Sequence, residues 1–217
     1  MASWAVFDVD GTLLPGTSME RMFMKHLVQI RKLPLRNILF YFSRILLKLI
    51  SEDLTDAFKS NKYYLRRLPV ETVREISQEL IENEIWSAIS SKGLETIDVC
   101  RRENYKIMLM SGSPDFLILP LEKKIGADYT IATQMRIEDG QFTGEIVGLH
   151  PYGIHKRHLL EKLSPKLKIE FEKSMVFANH HTDALHMELF GKAVAVNPTP
   201  KLEKIAGKRQ WGIEWWT

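Results

Sequence analysis

Trp4-Ala5-Val6-Phe7-Asp8-Val9-Asp10-Gly11-Thr12 is the stretch on which the fold turns. Four apolar residues in a row, closed by a carboxylate and soon after by a glycine, read as a short buried strand running into a loop. A strand without polar alternation is covered on both faces, which is the situation inside a parallel sheet. Its carboxylates come at the C-terminal end, where open α/β sheets place their ligands. In extended backbone, side chains two apart share a face, so Asp8 and Asp10 can address one pocket. Gly11 permits a sharp turn and a close backbone approach.

The same pattern recurs downstream. An apolar run from Lys106 to Met110 closes on Ser111-Gly112-Ser113-Pro114, a second from Ser174 to Ala178 on Asn179, and a third from Ala193 to Val196 on Asn197-Pro198. Between these runs the spacing predicts helices over 84–103, 115–125, 154–163 and 182–190. Strands alternating with helices make this an α/β chain with a Rossmann-like parallel sheet wound on both faces. Residues 136–147 differ, because Asp139-Gly140 between two alternating runs signals a hairpin. Residues 15–83 show no strand pattern and are rich in Leu, Ile, Met, Lys, Arg and Glu. The expected division is a core of 1–14 with 84–217, and a helical cap of 15–83 inserted after the first strand.

Composition narrows the class. The 217 residues are 45% hydrophobic and 26% charged with a formal charge of +3, the balance of an ordinary folded protein with both signs interspersed. Neither an RNA-binding aromatic signature nor a paired-cysteine zinc pattern is present, so no nucleic-acid partner is expected. A single cysteine, Cys100, cannot form an internal disulfide and suits a reducing, cytoplasmic setting. Met1-Ala2-Ser3-Trp4 leads directly into the first strand, unlike a secretory signal. The run from Leu35 to Ile50 is apolar nearly all round, with Arg36, Arg44 and Lys48 on one stripe. It reads as a packed cap helix with one solvated face, or as an interfacial helix making peripheral contact with anionic lipid. Interrupted by Arg44, it is a poor membrane span. The sequence leaves the oligomeric state open.

The chemistry rests on residues taken in chain order. Hydrolysis of a phosphate ester needs a nucleophile, a proton donor for the leaving oxygen, and positive charge around the transferring group. Asp8 and Asp10 supply the first two if their environments separate their protonation states. Ser111-Gly112-Ser113, after a strand and before a helix, can offer a hydroxyl and backbone N–H groups to phosphoryl oxygens. Lys156 near a helix start can neutralise phosphoryl charge. Asn179 and Asp183 after the next strand are natural oxygen ligands for Mg²⁺.

Asp-Val-Asp-Gly-Thr, Ser-Gly-Ser-Pro-Asp-Phe, a Lys opening a helix and an Asn/Asp pair four apart together resemble the haloacid-dehalogenase superfamily. More narrowly they resemble its branch containing phosphoserine phosphatase. Residues 138–144 and 194–198 and the Trp211-Gly212 ending extend the likeness over essentially the whole chain. The resemblance implies that Asp8 attacks phosphorus to form an aspartyl-phosphate, while Asp10 protonates the leaving group and then activates water. Ser111 and Lys156 would grip the phosphoryl group beside Gly11, Thr12 and Gly112. Mg²⁺ would be held by the Asp8 carboxylate, the Asp10 carbonyl and the Asn179/Asp183 region. The implied substrate is a small phosphorylated metabolite such as phosphoserine or an amino-alcohol phosphate. A lipid phosphate at a membrane surface is the alternative. One departure matters: this branch has Gly-Asp where Ala178-Asn179 stands, so the site loses a negative charge, which also leaves open a weakly catalytic phosphate-binding protein.

Other signals have plainer readings. His180, His181 and His186 are expected at the site mouth or surface rather than on a transition metal. His150, His155 and His158 are expected as loop and helix-face residues around Lys156. Trp211, Trp215 and Trp216 are expected to pack the terminal segment onto the core. Glu20, Arg21 and Arg44 are candidate cap contacts.

Overall fold

The structure is a computed structural model that describes residues 2–48 and 61–216, with the backbone alone for 44–48. Strand β1, Trp4–Asp8, is buried along its whole length and lies in the middle of the sheet. On one side it pairs in parallel with β2, Lys106–Pro114, which is followed by β3, Tyr129–Glu138, and β4, Gln141–Val147. On the other side come β5, Met175–Ala178, β6, Lys192–Val196, and β7, Gly212–Glu214, again in parallel. Among the described residues this gives the order β4-β3-β2-β1-β5-β6-β7, with β4 antiparallel to its neighbour. The expected Rossmann-like α/β core is therefore present. Its hairpin turns at Asp139 and Gly140, both at positive φ (49° and 72°), the backbone a two-residue turn requires.

Both faces of β1 are filled by different chemistry. Phe7 stacks on Phe177 with ring centroids 4.6 Å apart, and Trp216 packs against both rings. Val6 lies in the opposite layer with Met108, Val176 and Leu160. The tryptophan expectation thus divides, because Trp216 is buried while Trp215 is exposed. Cys100 is buried against Met175, and burial pushes its thiol up to about 11, so it is an inert core residue.

Several helices follow the sequence reading and two do not. Asp115–Ile125 (α5 in chain order) matches its expected span. The helix expected over 84–103 is interrupted at Ile89-Ser90. Ile89 is extended, the Ser90 N–H donates to the Leu13 carbonyl, and the Ser90 hydroxyl starts a new helix (α4, Ser91–Arg102) by accepting from Gly93. Before the break, α3, Val70–Leu80, continues through a π turn, Ile81–Ile85. The helix expected over 182–190 is a 3₁₀ turn, His181–Asp183, followed by the single turn Ala184–Met187 (α7). Helix α6, Ile154–Leu167, runs one turn beyond expectation.

Residues 14–89 leave the sheet after β1 and return beside it at the Ser90–Leu13 hydrogen bond. Helix α1, Met19–Gln29, buries Met19, Phe23 and Leu27 at the i, i+4, i+8 spacing of one helical face. Helix α2, Leu35–Lys48, follows; Leu49 and Ile50 of the expected 35–50 helix, like the side chains of Arg44 and Lys48, lie outside what is described. No helix among the described residues is long and apolar enough to cross a membrane. This excursion shares a hydrophobic cluster with the core, with Phe23 edge-on to Phe116 at 5.3 Å. It is also tied to the hairpin by backbone: Arg67 N–H donates to Phe142 O, Phe142 N–H to Leu68 O, and Val70 N–H to Gly140 O, at 2.8, 3.0 and 3.0 Å.

Gly144 makes that seam close. Its φ is +86°, and a Cβ there would stand 2.9 Å from Tyr63 Cα and 3.3 Å from the Lys62 carbonyl. Both the left-handed backbone and the contact exclude a side chain. Gly144→Ala is expected to cost about 1–3 kcal/mol in urea unfolding. Gly148→Ala, also at positive φ but with nothing within 4 Å of its Cβ position, is expected to cost less.

Candidate active site

Asp8 ends β1, and the chain then turns so tightly that the N–H groups of Thr12 and Leu14 both donate to Val9 O. Gly11, at φ +87°, lets this loop approach the Asn179 side chain, and a Cβ there would fall 2.1 Å from Asn179 Nδ2. Loop and Asn179 are therefore packed as one piece. The Thr12 hydroxyl donates to Asp8 Oδ2 at 2.8 Å, which fixes the carboxylate's orientation. Lys156, from the first turn of α6, donates to Asp8 Oδ1 at 2.6 Å and to Asp183 Oδ1 at 2.9 Å. All three side chains are buried.

Asp10 is held from a different side. Its Oδ1 accepts the Met19 N–H at the start of α1 at 2.7 Å, and its Oδ2 accepts the hydroxyls of Ser111 at 2.6 Å and Ser113 at 2.8 Å. The Ser111 hydroxyl in turn accepts the Ser113 N–H. Ser111 is wholly buried behind Asp10, while Gly112 and Ser113 face the cavity. Of the residues expected from sequence, Asp8, Asp10, Gly11, Gly112, Lys156, Asn179 and Asp183 all line one cavity of about 590 Å³. Thr12 and Ser111 act from beneath it through Asp8 and Asp10.

Electrostatics separates the carboxylates. Burial pushes Asp8 up to about 7, with Asp183 and Asp10 adding to the rise and Lys156 opposing it. Asp183 is buried too, but Lys156, by charge and hydrogen bond, together with His186 and His180 outweighs that burial and holds it below the usual carboxylate range. The Lys156 ammonium, pinned between two carboxylates, is held charged despite its own burial. His186 lies 3.8 Å from Asp183 and is driven down to about 3 by burial, so it is neutral and carries no proton for catalysis. His180 lines the cavity as expected of a site-mouth residue, whereas His186, expected at the mouth or surface, is buried.

Sequence reasoning missed part of the wall. Tyr152 stands between His150 and His180, at centroid distances of 6.1 and 6.4 Å. On the facing side Lys62, buried, forms an ion pair with Glu20 next to Arg21. The Tyr64 hydroxyl stands beside that carboxylate without completing a hydrogen bond, and burial with the Glu20 charge pushes it well up. Only Ser113 carried a legible signal, as the second hydroxyl of Ser-Gly-Ser. Lys62 sits in a stretch full of other lysines and arginines.

The donor set suits a hard divalent cation. If Asp8, Asp10 and Asp183 are all ionised, three negative charges face one ammonium, an excess of two. Asp183 and Asp10 accordingly add to the rise that burial imposes on Asp8. Among the described residues no three His, Cys, Asp or Glu side chains form a ready-made cage. Mg²⁺ characteristically takes only one or two carboxylates and completes its shell with carbonyl, water and phosphate oxygens. Asp8 and Asp183 with the Asn179 amide oxygen meet that requirement.

A model of the haloacid dehalogenase-like hydrolases matches residues 5–188. The chain belongs to that family. Phosphoserine phosphatase SerB1 of Mycobacterium tuberculosis is 25% identical over 218 residues, covering 96% of this chain and 69% of that protein. A phosphoserine phosphatase of Methanocaldococcus jannaschii is 25% identical over 141 residues, 64% of this chain and 67% of that one. Among solved structures, a Bordetella pertussis protein of unknown function superposes with a TM-score of 0.83 at 17% identity, covering 99% of this chain and 98% of that one. A phospho-aspartyl intermediate analogue of phosphoserine phosphatase superposes at 0.66 and 21% identity over 99% and 93% of the two chains. The structural matches establish the fold, and family and relatives together make this a hydrolase of the phosphatase kind, phosphoserine phosphatase-like.

A consequence for stability follows from Asp8. A carboxyl raised in the folded state destabilises the fold above about pH 7, and the penalty vanishes as pH falls towards its unfolded value of 3.8. In the metal-free protein Asp8→Asn is therefore expected to raise the unfolding free energy by about 2–4 kcal/mol at pH 8, with the gain shrinking towards zero near pH 4. Urea titrations of both proteins across that range would show it.

Proposed function

We propose that this protein is a Mg²⁺-dependent phosphomonoester hydrolase that works through an aspartyl-phosphate on Asp8, with 1–14 and 84–217 as the catalytic core and 15–83 as a cap. The observation that carries the reading is the shared ammonium of Lys156, which ties Asp8 and Asp183 together on the cavity floor while Asp10 is held separately above. One carboxylate oxygen is thereby aimed for attack. The other carboxyl is placed to move a proton.

In the first step an Asp8 oxygen bonds to phosphorus as the bond to the leaving oxygen breaks, and Asp10 gives that oxygen its proton. In the second step Asp10 takes a proton from water as the water oxygen bonds to phosphorus, which releases the Asp8 carboxylate and inorganic phosphate. Lys156 offsets charge on the phosphoryl oxygens throughout, Gly112 lines the same cavity, and Ser113 holds Asp10 through its hydroxyl. Ser111 and Thr12 orient Asp10 and Asp8. Mg²⁺ when bound, held by Asp8, Asp183, Asn179 and the Asp10 carbonyl, supplies the positive charge that lets an anionic nucleophile meet an anionic ester.

A small phosphorylated metabolite with its own charges is the favoured substrate. The wall facing the phosphoryl site is the Glu20–Lys62 pair with Arg21, and an amino-acid phosphate such as phosphoserine offers an ammonium and a carboxylate that match it. The relatives named as phosphoserine phosphatases support the same choice.

Mg²⁺-dependent release of phosphate from p-nitrophenyl phosphate tests the chemistry. Asp8→Asn and Lys156→Ala are each expected to lower turnover at least about 100-fold. Undiminished turnover by Asp8→Asn would remove the proposed nucleophile. Glu20→Gln is expected to raise KM for phosphoserine several-fold more than for p-nitrophenyl phosphate, by about 1–2 kcal/mol in kcat/KM. Asn179→Asp restores a negative charge to the ligand set and is expected to lower the Mg²⁺ concentration for half-maximal rate by about tenfold. No Mg²⁺-dependent turnover by either the native protein or Asn179→Asp would favour a phosphate-binding role.

A further inference from the structure

Helix α2 turns an apolar row outwards. Leu35, Leu39 and Phe42 are 71%, 64% and 59% exposed. At about 100° per residue they fall within an arc of about 60°. The opposite face is the anchored one. Asn37 is buried, and its amide donates to the carbonyls of Tyr64 and Arg66 at 2.9 and 2.7 Å. The exposed row is thus a face that this anchoring leaves over. Two further exposed apolar residues, Val28 and Ile30, end the preceding helix α1.

Charge around that face is segregated. Between Glu20 and Glu52 the sequence carries Arg21, Lys25, Arg31, Lys32, Arg36, Arg44 and Lys48 and not one Asp or Glu, whereas the whole chain balances to +3. Arg31, Lys32 and Arg36 are exposed. Phe40 points elsewhere, towards a groove it shares with Arg66, Glu138 and Asp139, so the hairpin's carboxylates belong to a different side of the helix. Exposed Leu and Phe flanked by the exposed Arg31, Lys32 and Arg36 match a surface whose outer layer is anionic and whose next layer is hydrocarbon. A protein partner of mixed charge would not require the acid-free stretch.

We propose that the cap docks on anionic membrane surfaces through Leu35, Leu39 and Phe42, with Arg31, Lys32 and Arg36 at the headgroups. Helix α1 joins this face to the catalytic cavity. Its first residue, Met19, holds Asp10, Arg21 lines the cavity, and the exposed Val28 near its far end is about 14 Å away by helical rise. The docking proposal does not depend on the phosphatase reading and is tested without activity.

The test is flotation of the whole protein with vesicles of phosphatidylcholine alone or with about one third phosphatidylglycerol, at about 0.1 M salt. Flotation only with the anionic vesicles is expected, and about 0.5 M salt should release the protein. Arg31→Glu with Lys32→Glu should weaken partitioning more than about tenfold. Leu39→Glu with Phe42→Glu should abolish it, and an unchanged thermal unfolding midpoint shows that each variant is folded. The salt series on the unaltered protein stands even if a variant is not. Absence of flotation, equal flotation on neutral vesicles, or binding that survives both variants would overturn the proposal. So would a dimer seen by light scattering that Leu39→Glu with Phe42→Glu dissociates while vesicles are ignored, since the face would then belong to a second copy of the chain.

Discussion

The Lys156 ammonium, shared by Asp8 and Asp183 in a buried floor, is the interaction on which the site depends. A buried ion pair is weak evidence of stability, because desolvation offsets much of the Coulombic gain. Here one cation serves two anions, and the balance falls unevenly: Asp183 is held ionised while Asp8 is pushed up to about 7. A floor built this way is poised for more positive charge. A divalent cation would supply that charge and so let an anionic phosphoryl group approach the floor.

The surrounding scaffold keeps that floor in place by backbone rather than by chance packing. Three successive parallel strands, β2, β1 and β5, deliver Ser111, Asp8 and Asn179 at their C-terminal ends. The register Phe7 to Leu109 and Phe7 to Phe177 sets their relative heights. The stacked Phe7 and Phe177 rings, closed by Trp216 from the end of the chain, leave the strands little room to slide. On the other side, helix α1 begins on Asp10 itself through the Met19 N–H, so the excursion from the core is joined to the catalytic loop at its first turn.

The excursion also contributes groups that the core lacks. Lys62 and Glu20 line the cavity together with Asp8 and Lys156, and Gly144 lets the hairpin approach the Lys62 backbone. Selectivity at that wall and docking at the outer face of α2 would then be properties of one inserted segment, with Asn37 fastening the segment 64–66 to the helix between them.

Much of this was legible in the residues. An apolar run ending in Asp-x-Asp-Gly-Thr reads as a buried strand entering a loop, and its repetition between helical segments pointed to an α/β sheet, because such patterns are local properties of the chain. The hairpin at Asp139-Gly140 was legible for the same reason. The break at Ile89-Ser90 was not, since the Leu13 carbonyl that accepts the Ser90 N–H is distant in sequence. The short edge strand Gly212–Glu214 carries too few residues to show a period. Within the site, the residue types and their order marked Asp8, Asp10, Lys156 and Asp183. Only the tertiary structure decided that Ser111 serves Asp10 from beneath and that Lys62 lines the cavity that holds Asp8, because which atoms meet across the cavity depends on strand register and loop closure between segments far apart in the chain.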